Sequence, residues 1–229
     1  MKKRELKELI EKHGQRYSEI LGINLSQGEE QEIFKWFLAA ILFGAPITET
    51  SAVKTYNCFE KHNVLTPAKT LKTGWQGLVK ILDEGKYTRY DYKTADKLLE
   101  VMHTLKAHYS GSLNELHKRA ANPVDLEEGI KALGKGIGDV TVSIFLRELR
   151  DVWSKADPKP TPLVMLAGKN LKIIKSDDPE KAKNELKEFW NKNQIQGTSF
   201  VNLETALLRL GKDIRRKRKQ LQPSHNVRF

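Results

Sequence analysis

The chain has 229 residues, an apolar fraction of 39% and a formal net charge of +11. This length and composition are sufficient for a hydrophobic core, as one large domain or two small ones, and they exclude a disordered chain. The excess of positive charge favours an acidic partner, nucleic acid above all, although a globular protein that is merely rich in lysine has a similar composition.

The sequence contains one cysteine, Cys58, and six histidines without paired metal-ligand spacing. A single thiol excludes a disulfide within this chain, a four-cysteine iron–sulfur cluster and a cysteine-rich zinc site. The longest apolar run, residues 36–43, is far too short to span a bilayer, and the basic residues 2–4 do not lead into an apolar signal core. We therefore expect a cytoplasmic protein, nucleoid-associated in a prokaryote, with no membrane contact and no metal catalysis.

Apolar residues recur at helical spacing along nearly the whole chain, and no strand-like alternation is found between the turn signals. The pattern predicts an all-α fold of about ten helices. Ser26 with Glu29 forms a capping-box pattern before residues 33–43, whose apolar side chains on all sides predict a buried central helix. Further helix starts are predicted at Thr66–Pro67, at Ser112 with Glu115, at Asp125 with Glu128, at Thr161–Pro162 and at Asp178–Pro179.

Two of the predicted helices are separated by the short turn Lys135, Gly136, Ile137 and Gly138. The glycines allow backbone N–H groups to approach a phosphate with no Cβ in the way, and the helix that follows adds its positive N-terminal pole. Ile137 can insert into the apolar groove between the two helices. The contact of the turn with phosphate is expected to be independent of nucleic-acid sequence. The alternative is that the glycine turn is an ordinary helix C-cap.

The turn, the helix after it and Asp157, nineteen residues beyond Gly138, resemble the helix-hairpin-helix DNA glycosylases of the endonuclease III superfamily. In that family an aspartate follows the second hairpin glycine by about twenty residues. Residues 34–43 and 44–51 also look like the family's central buried helix and the loop after it. The resemblance covers roughly residues 28–170, the greater part of the chain.

The resemblance implies an all-α fold of two helical lobes, with a base pocket and Asp157 in the cleft between them. One domain is then residues 26–154, and the other combines residues 1–25 with residues 155–229. The implied function is a DNA repair glycosylase that flips a damaged or mismatched base from double-stranded DNA and hydrolyses its N-glycosidic bond. We expect such a protein to act as a monomer. The lesion itself stays open among deaminated or mismatched pyrimidines, alkylated purines and oxidised guanine, the last being disfavoured.

Asp157 is the expected catalytic residue. Cleavage of the N-glycosidic bond develops positive charge on the deoxyribose, which a nearby carboxylate can stabilise while it orients or deprotonates water. The alternative is an ordinary turn aspartate, the commoner role of an Asp-Pro pair. Members of the family that also cut the backbone carry a lysine two residues after the second hairpin glycine, where this chain has Val140. We therefore expect no lyase activity.

The resemblance also implies further contacts to DNA and to the flipped base. Asp139 begins the helix after the turn, and Glu49 begins another helix. Each is a further polar candidate for the functional site, or it simply complements the dipole of its helix. Pro46 and Ile47 lie where the family inserts a wedge, although this loop equally fits a plain connection. Trp36 and Phe43 fit either a base pocket or the core. The expected DNA contacts are Lys135, Gly136, Ile137, Gly138, Asp139, Pro46, Ile47, Arg215, Arg216 and Arg218, and the expected pocket residues are Trp36, Phe43, Tyr87, Tyr90 and Tyr92.

Residues 209–229 carry eight basic side chains and one acidic one, Asp213. This basic segment is expected to contact DNA in place of the iron–sulfur cluster that many family members contain. No cofactor is expected, although the carbonyl groups of the hairpin could hold a structural monovalent ion. A non-catalytic helical DNA-binding module is the alternative function, since it explains both the charge and the missing lysine.

Overall fold

A computed structural model of the chain describes residues 1–221. Arg228, part of the predicted basic segment, lies outside the described residues. Within residues 1–221 there are twelve helices and no strand, which confirms the predicted all-α class. The helices are α1 (Lys3–His13), α2 (Tyr17–Ile20), α3 (Glu30–Phe43), α4 (Glu49–Lys61), α5 (Pro67–Glu84), α6 (Asp91–Tyr109), α7 (Leu113–Arg119), α8 (Pro123–Lys131), α9 (Asp139–Glu148), α10 (Pro162–Asn170), α11 (Pro179–Asn193) and α12 (Phe200–Leu221).

The chain divides into two compact units. The first, called the middle unit, consists of residues 17–158 and contains α2 to α9. The second, called the terminal unit, combines residues 1–16 with the chain from Lys159 onward and contains α1 and α10 to α12.

The middle unit is built around α3. Nine of the fourteen residues of α3 are buried, which confirms the predicted buried central helix. Helices α4, α7 and α9 pack against α3, while α5 and α6 pack along each other. The indole of Trp36 in α3 donates to the carbonyl of Phe145 in α9 at 3.0 Å, so the one polar atom of this buried ring is satisfied.

The middle unit begins earlier and ends later than the predicted domain of residues 26–154. At its start, the buried Glu148 carboxylate accepts hydrogen bonds from the amides of Tyr17 and Ser18, at 2.8 and 2.9 Å. At its end, Arg150 donates to the carbonyl of Pro158 at 2.5 Å. These side-chain bonds tie both boundary segments to the middle unit, and neither bond has a local sequence signature.

The terminal unit is organised around α12, which packs against α1, α10 and α11. The buried side of α12 includes Val201, Leu203 and Leu207. At Gly211 a Cβ atom would lie 2.1 Å from the carbonyl oxygen of Leu163, so only glycine permits this approach of α12 to α10.

Four of the predicted helix starts are confirmed. The side chains of Thr66, Ser112, Thr161 and Asp178 each accept a hydrogen bond from a backbone amide in the first turn of the helix that follows. Such caps satisfy amides that have no partner within the helix, and they depend only on neighbouring residues.

Two predicted helix starts are wrong. The helix expected at Asp125 begins at Pro123, because Asn122 is its cap and accepts from the Asp125 amide at 3.0 Å. The capping box of Ser26 and Glu29 is not formed, since the Ser26 hydroxyl donates to the Asn24 side chain at 2.8 Å and α3 starts without a side-chain cap.

Candidate functional site

The segment between α8 and α9 contains a tight β-turn. The Ile137 amide donates to the Gly134 carbonyl at 3.1 Å, and Gly136 has a φ of +85°. A positive φ at the third residue of such a turn strongly favours glycine. Ile137 is buried at 5% exposure, in agreement with an insertion between helices, whereas Lys135 is exposed.

The first turn of α9 lacks the side-chain cap that six of the twelve helices within residues 1–221 possess. Its N-cap residue, Gly138, has no side chain, and no heavy atom lies within 4 Å of where a Cβ would be. Asp139 has an exposed side chain and accepts from Lys131 of α8 at 2.8 Å, which raises the pKa of the Lys131 ammonium. The start of α9 therefore combines an open backbone with a carboxylate that is already paired.

Lys97 of α6 lies beside this turn and was not predicted from the sequence. A Cβ atom at Gly136 would lie 2.9 Å from Cε and 3.3 Å from Nζ of Lys97. The side chain is partly buried, and burial lowers the pKa of its ammonium. None of the described residues gives Lys97 an ion pair or a side-chain hydrogen bond. The turn thus has a nearby cation that is available to an anionic ligand.

Asp157 lies at a corner that is held by Arg150. One guanidinium nitrogen of Arg150 donates to Oδ1 of Asp157, and another donates to the Pro158 carbonyl. The Arg150 side chain is 6% exposed and that of Asp157 is 27% exposed. The carboxylate is therefore fixed by an ion pair while part of it still faces solvent.

Lys155, two residues before Asp157, is fixed within the fold. Its ammonium donates to the backbone carbonyls of His117 and Lys118, at 2.7 and 3.2 Å. The side chain thereby joins the corner before Asp157 to the end of α7, which is a structural role.

Two of the predicted pocket aromatics lie in the core. Trp36 is fully buried, and Tyr87 is buried with its hydroxyl donating to the Leu42 carbonyl at 3.2 Å. Burial raises the pKa of Tyr87 to about 12. Neither ring has an exposed face for a base to stack on, so the expectation that they line a pocket is corrected.

The other three aromatics are accessible to different degrees. Phe43 is partly exposed at the end of α3 and contacts the ring of Tyr17 at 5.2 Å between centroids. Tyr90 is partly exposed, with the Arg89 guanidinium 5.6 Å from its ring centre. Tyr92 is 59% exposed and contacts Trp75, which sequence reasoning did not select.

The predicted wedge loop connects α3 to α4. Pro46 is exposed, Ile47 is partly exposed, and Thr48 caps α4. The loop begins at Gly44, where a Cβ atom would lie 2.3 Å from Oγ1 of Thr141 in the first turn of α9. The fold therefore brings this loop next to the helix that starts at the glycine turn.

The predicted basic segment forms the end of α12 in the terminal unit. Arg215, Arg216 and Arg218 are exposed. Their neighbours Lys212 and Lys219 share one helical face with Arg215 and Arg216, because the four positions are spaced three, one and three residues apart. Arg216 also pairs with Asp213 at 3.1 Å.

Comparison of the chain with protein-family models, with curated proteins and with solved structures finds no match in any of the three. Over residues 1–221, no group of three or more His, Cys, Asp or Glu side chains is arranged to hold a metal ion. No helix in the described part of the chain has both the length and the apolar character needed to cross a bilayer.

Proposed function

We propose that the chain is a DNA N-glycosylase that removes a damaged or mismatched base by hydrolysis. One observation carries the proposal. In the middle unit, a glycine turn with an uncapped following helix and a nearby unpaired lysine occurs together with a partly exposed carboxylate held in place by a buried arginine. The first group suits a phosphate of the DNA backbone, and the second suits a cationic deoxyribose.

The turn and Lys97 supply the binding step. Amides at Gly136 and Gly138 present donors to phosphate oxygens, and the Lys97 ammonium adds a positive charge. Because such contacts are to the backbone, they position the enzyme without selecting a base sequence. The basic face of α12 contributes further electrostatic affinity in the same manner.

Asp157 supplies the chemical step. As the N-glycosidic bond breaks, positive charge develops on the sugar, and a fixed carboxylate stabilises it with little reorganisation. Arg150 keeps Asp157 in place, so its orientation does not have to be established during the reaction. The same carboxylate orients the water that attacks C1′. The base leaves, and an abasic site remains in the DNA.

Strand cleavage is not part of the proposed reaction. The family's lyase members use an amine at the position of Val140, and this valine is 61% exposed with no nucleophilic atom. The proposed product is therefore an intact strand that breaks only when the abasic site is heated in alkali.

The test is a panel of duplexes, each with a single lesion: uracil, hypoxanthine, methylated adenine, oxidised guanine or a mismatched thymine. Each duplex is incubated with the protein and then divided, one half being heated in alkali and the other not. Alkali-dependent cleavage of at least one lesion is expected, with no borohydride-trapped complex. If no lesion gives such cleavage, the chain is not a glycosylase for these bases. Cleavage without alkali would overturn the assignment of a purely hydrolytic mechanism.

A second candidate is a DNA-binding module without catalysis. The ion pair between Arg150 and Asp157 favours it, because a carboxylate that is neutralised by a buried guanidinium can simply fix a corner of the fold. In that case the protein binds undamaged and damaged duplexes with equal affinity and leaves every member of the panel intact.

A further inference from the structure

Arg147 of α9 is a buried guanidinium that lacks hydrogen-bond acceptors. The residue is 3% exposed, and Nε, Nη1 and Nη2 all lack a hydrogen-bond partner among the described residues. The nearest carboxylate oxygen, Oε1 of Glu148, lies 3.8 Å from Nη2 and already accepts from the Tyr17 amide. Buried donors without acceptors are costly, so proteins rarely retain them without a use.

Arg147 packs against Tyr17, and Tyr17 in turn contacts partly exposed residues. The Arg147 guanidinium lies 5.7 Å from the ring centre of Tyr17, whose ring contacts Phe43. The Tyr17 hydroxyl donates to Glu49 at 2.6 Å. Phe43 and Glu49 are both partly exposed, and they lie on either side of the loop that contains Pro46. The cluster thus extends from a buried set of donors to the predicted wedge loop.

We propose that Arg147 recognises the flipped base and that the preferred base is a purine with a carbonyl oxygen at position 6. This inference rests on the proposed glycosylase function. A guanidinium donates hydrogen bonds and accepts none. It therefore matches an edge with two adjacent acceptors, such as O6 and N7 of hypoxanthine or guanine.

Adenine does not match the same donors, because its N6 amino group is itself a donor. Deamination of adenine to hypoxanthine replaces that donor by an acceptor. A site that holds Arg147 against this edge therefore accepts the deaminated base and rejects its parent, which would leave buried donors unpaired. Hypoxanthine opposite thymine is also mispaired, so less energy is needed to flip it than to flip a paired guanine.

The test measures binding to duplexes that cannot be hydrolysed. Each contains one 2′-fluoro purine nucleotide opposite a tetrahydrofuran abasic analogue, so that base pairing does not differ among them. The bases are hypoxanthine, adenine and 7-deazahypoxanthine, the last lacking the N7 acceptor. Fluorescence anisotropy at one salt concentration gives the dissociation constant of each duplex for the wild type, for Arg147→Met and for Arg119→Met. Arg119 is an exposed arginine of the middle unit outside this cluster.

The wild type and Arg119→Met are expected to bind the hypoxanthine duplex about tenfold more tightly than the adenine duplex and to lose most of this preference with 7-deazahypoxanthine. Arg147→Met is expected to bind the three duplexes alike. Equal binding of hypoxanthine and adenine by the wild type would overturn the proposal, as would a preference that survives in Arg147→Met. Even if Arg147→Met does not fold, the wild type keeps the proposal falsifiable, because equal affinity for hypoxanthine and 7-deazahypoxanthine would exclude recognition of N7.

The binding test of Arg147 and the excision test of the proposed glycosylase can fail independently of each other. A preference for hypoxanthine that depends on Arg147, with no excision of any lesion, would support the recognition and overturn the catalysis. Excision of another lesion without this preference would support the catalysis and overturn the role of Arg147.

Discussion

Basic side chains of the middle unit differ in whether the protein supplies their partners. Arg150 donates to Asp157 and to the Pro158 carbonyl, and Lys155 donates to two carbonyls at the end of α7. Lys97 and Arg147 have no hydrogen-bond partner within the part of the chain that is described. The first pair builds the corner at Asp157, whereas the proposed function gives the second pair to the DNA ligand.

Replacement of Lys97 by Gln should weaken binding to all duplexes alike, because in the proposed function its ammonium contacts a phosphate and not a base. The slope of log K against log salt concentration should decrease in magnitude by about 0.9, the value expected for the loss of one phosphate contact. Binding of a damaged and an undamaged duplex is measured at several salt concentrations. Lys93→Gln, an exposed position one helical turn earlier in α6, serves as the control and should leave the slope nearly unchanged. Equal slopes for wild type and Lys97→Gln would exclude a phosphate contact of Lys97.

His117 should make the stability of the protein dependent on pH. Its ring stacks on Trp153 at 4.7 Å, and burial, with Lys155 nearby, lowers its pKa below the ordinary value of 6.5. As the pH falls, the unfolded chain therefore binds a proton at His117 at a higher pH than the folded chain does. The free energy of unfolding is highest above pH 6.5 and decreases as the pH falls through that value.

Urea unfolding at pH 7.5 and at pH 5.5 checks this prediction. His117→Phe keeps an aromatic ring against Trp153 but cannot titrate, so its stability should decrease less between the two pH values than that of the wild type. His103→Gln, which removes an exposed histidine of α6, should respond as the wild type does. The same decrease in all three proteins would show that another group is responsible.

At the scale of helices, close approaches at glycine should determine stability in the terminal unit. Gly211→Ala places a methyl group 2.1 Å from the Leu163 carbonyl oxygen, so α12 and α10 must separate. We expect a loss of about 1–3 kcal/mol in the free energy of unfolding. Gly129→Ala in α8 is the control, since its methyl group meets Leu116 at an ordinary 3.6 Å and alanine favours the helix by up to about 1 kcal/mol. Thermal or urea melts of both variants measure the difference, and a neutral Gly211→Ala would contradict the packing described.

The helix starts show which features a sequence can predict. Thr66, Thr161 and Asp178 each stand before a proline and cap the helix that follows, a preference that depends on adjacent residues alone. The buried central helix was equally predictable, because apolar residues on every side leave no polar face for solvent.

Long-range partners explain what the sequence could not predict. The Ser26 and Glu29 pattern failed, and the neighbouring carboxylate of Glu30 instead accepts from the amides of Leu113 and Asn114 in α7. The rings of Trp36 and Tyr87 are suited equally to a pocket and to a core, and only the tertiary fold decides between them. Lys97 is almost forty residues before the turn that it contacts, so no local pattern connects the two.

At the scale of the whole molecule, the net charge of +11 should make DNA binding strongly dependent on salt. The exposed face of α12 concentrates part of this charge. Replacement of Arg215, Arg216 and Lys219 by Gln should reduce the slope of log K against log salt by up to roughly 2.7, since each phosphate contact contributes about 0.9.

The matched control removes the same charge elsewhere. Arg4, Lys7 and Lys12 lie on α1, and two of them pair with Glu8 and Glu11. Their replacement by Gln should change the slope much less. If the two triple variants have equal slopes, the basic face of α12 has no special role and only the total charge matters.

The central claim is that the carboxylate of Asp157 drives base hydrolysis. The most direct test compares wild type with Asp157→Asn under single-turnover conditions on a lesion that the wild type excises, with alkali-dependent cleavage as the readout. Circular dichroism and duplex binding are measured on both proteins to show that fold and affinity are retained. We predict a loss of about 10²–10³-fold in the excision rate with binding unchanged. An Asp157→Asn protein that is folded, binds DNA and excises the base at the wild-type rate would contradict the account.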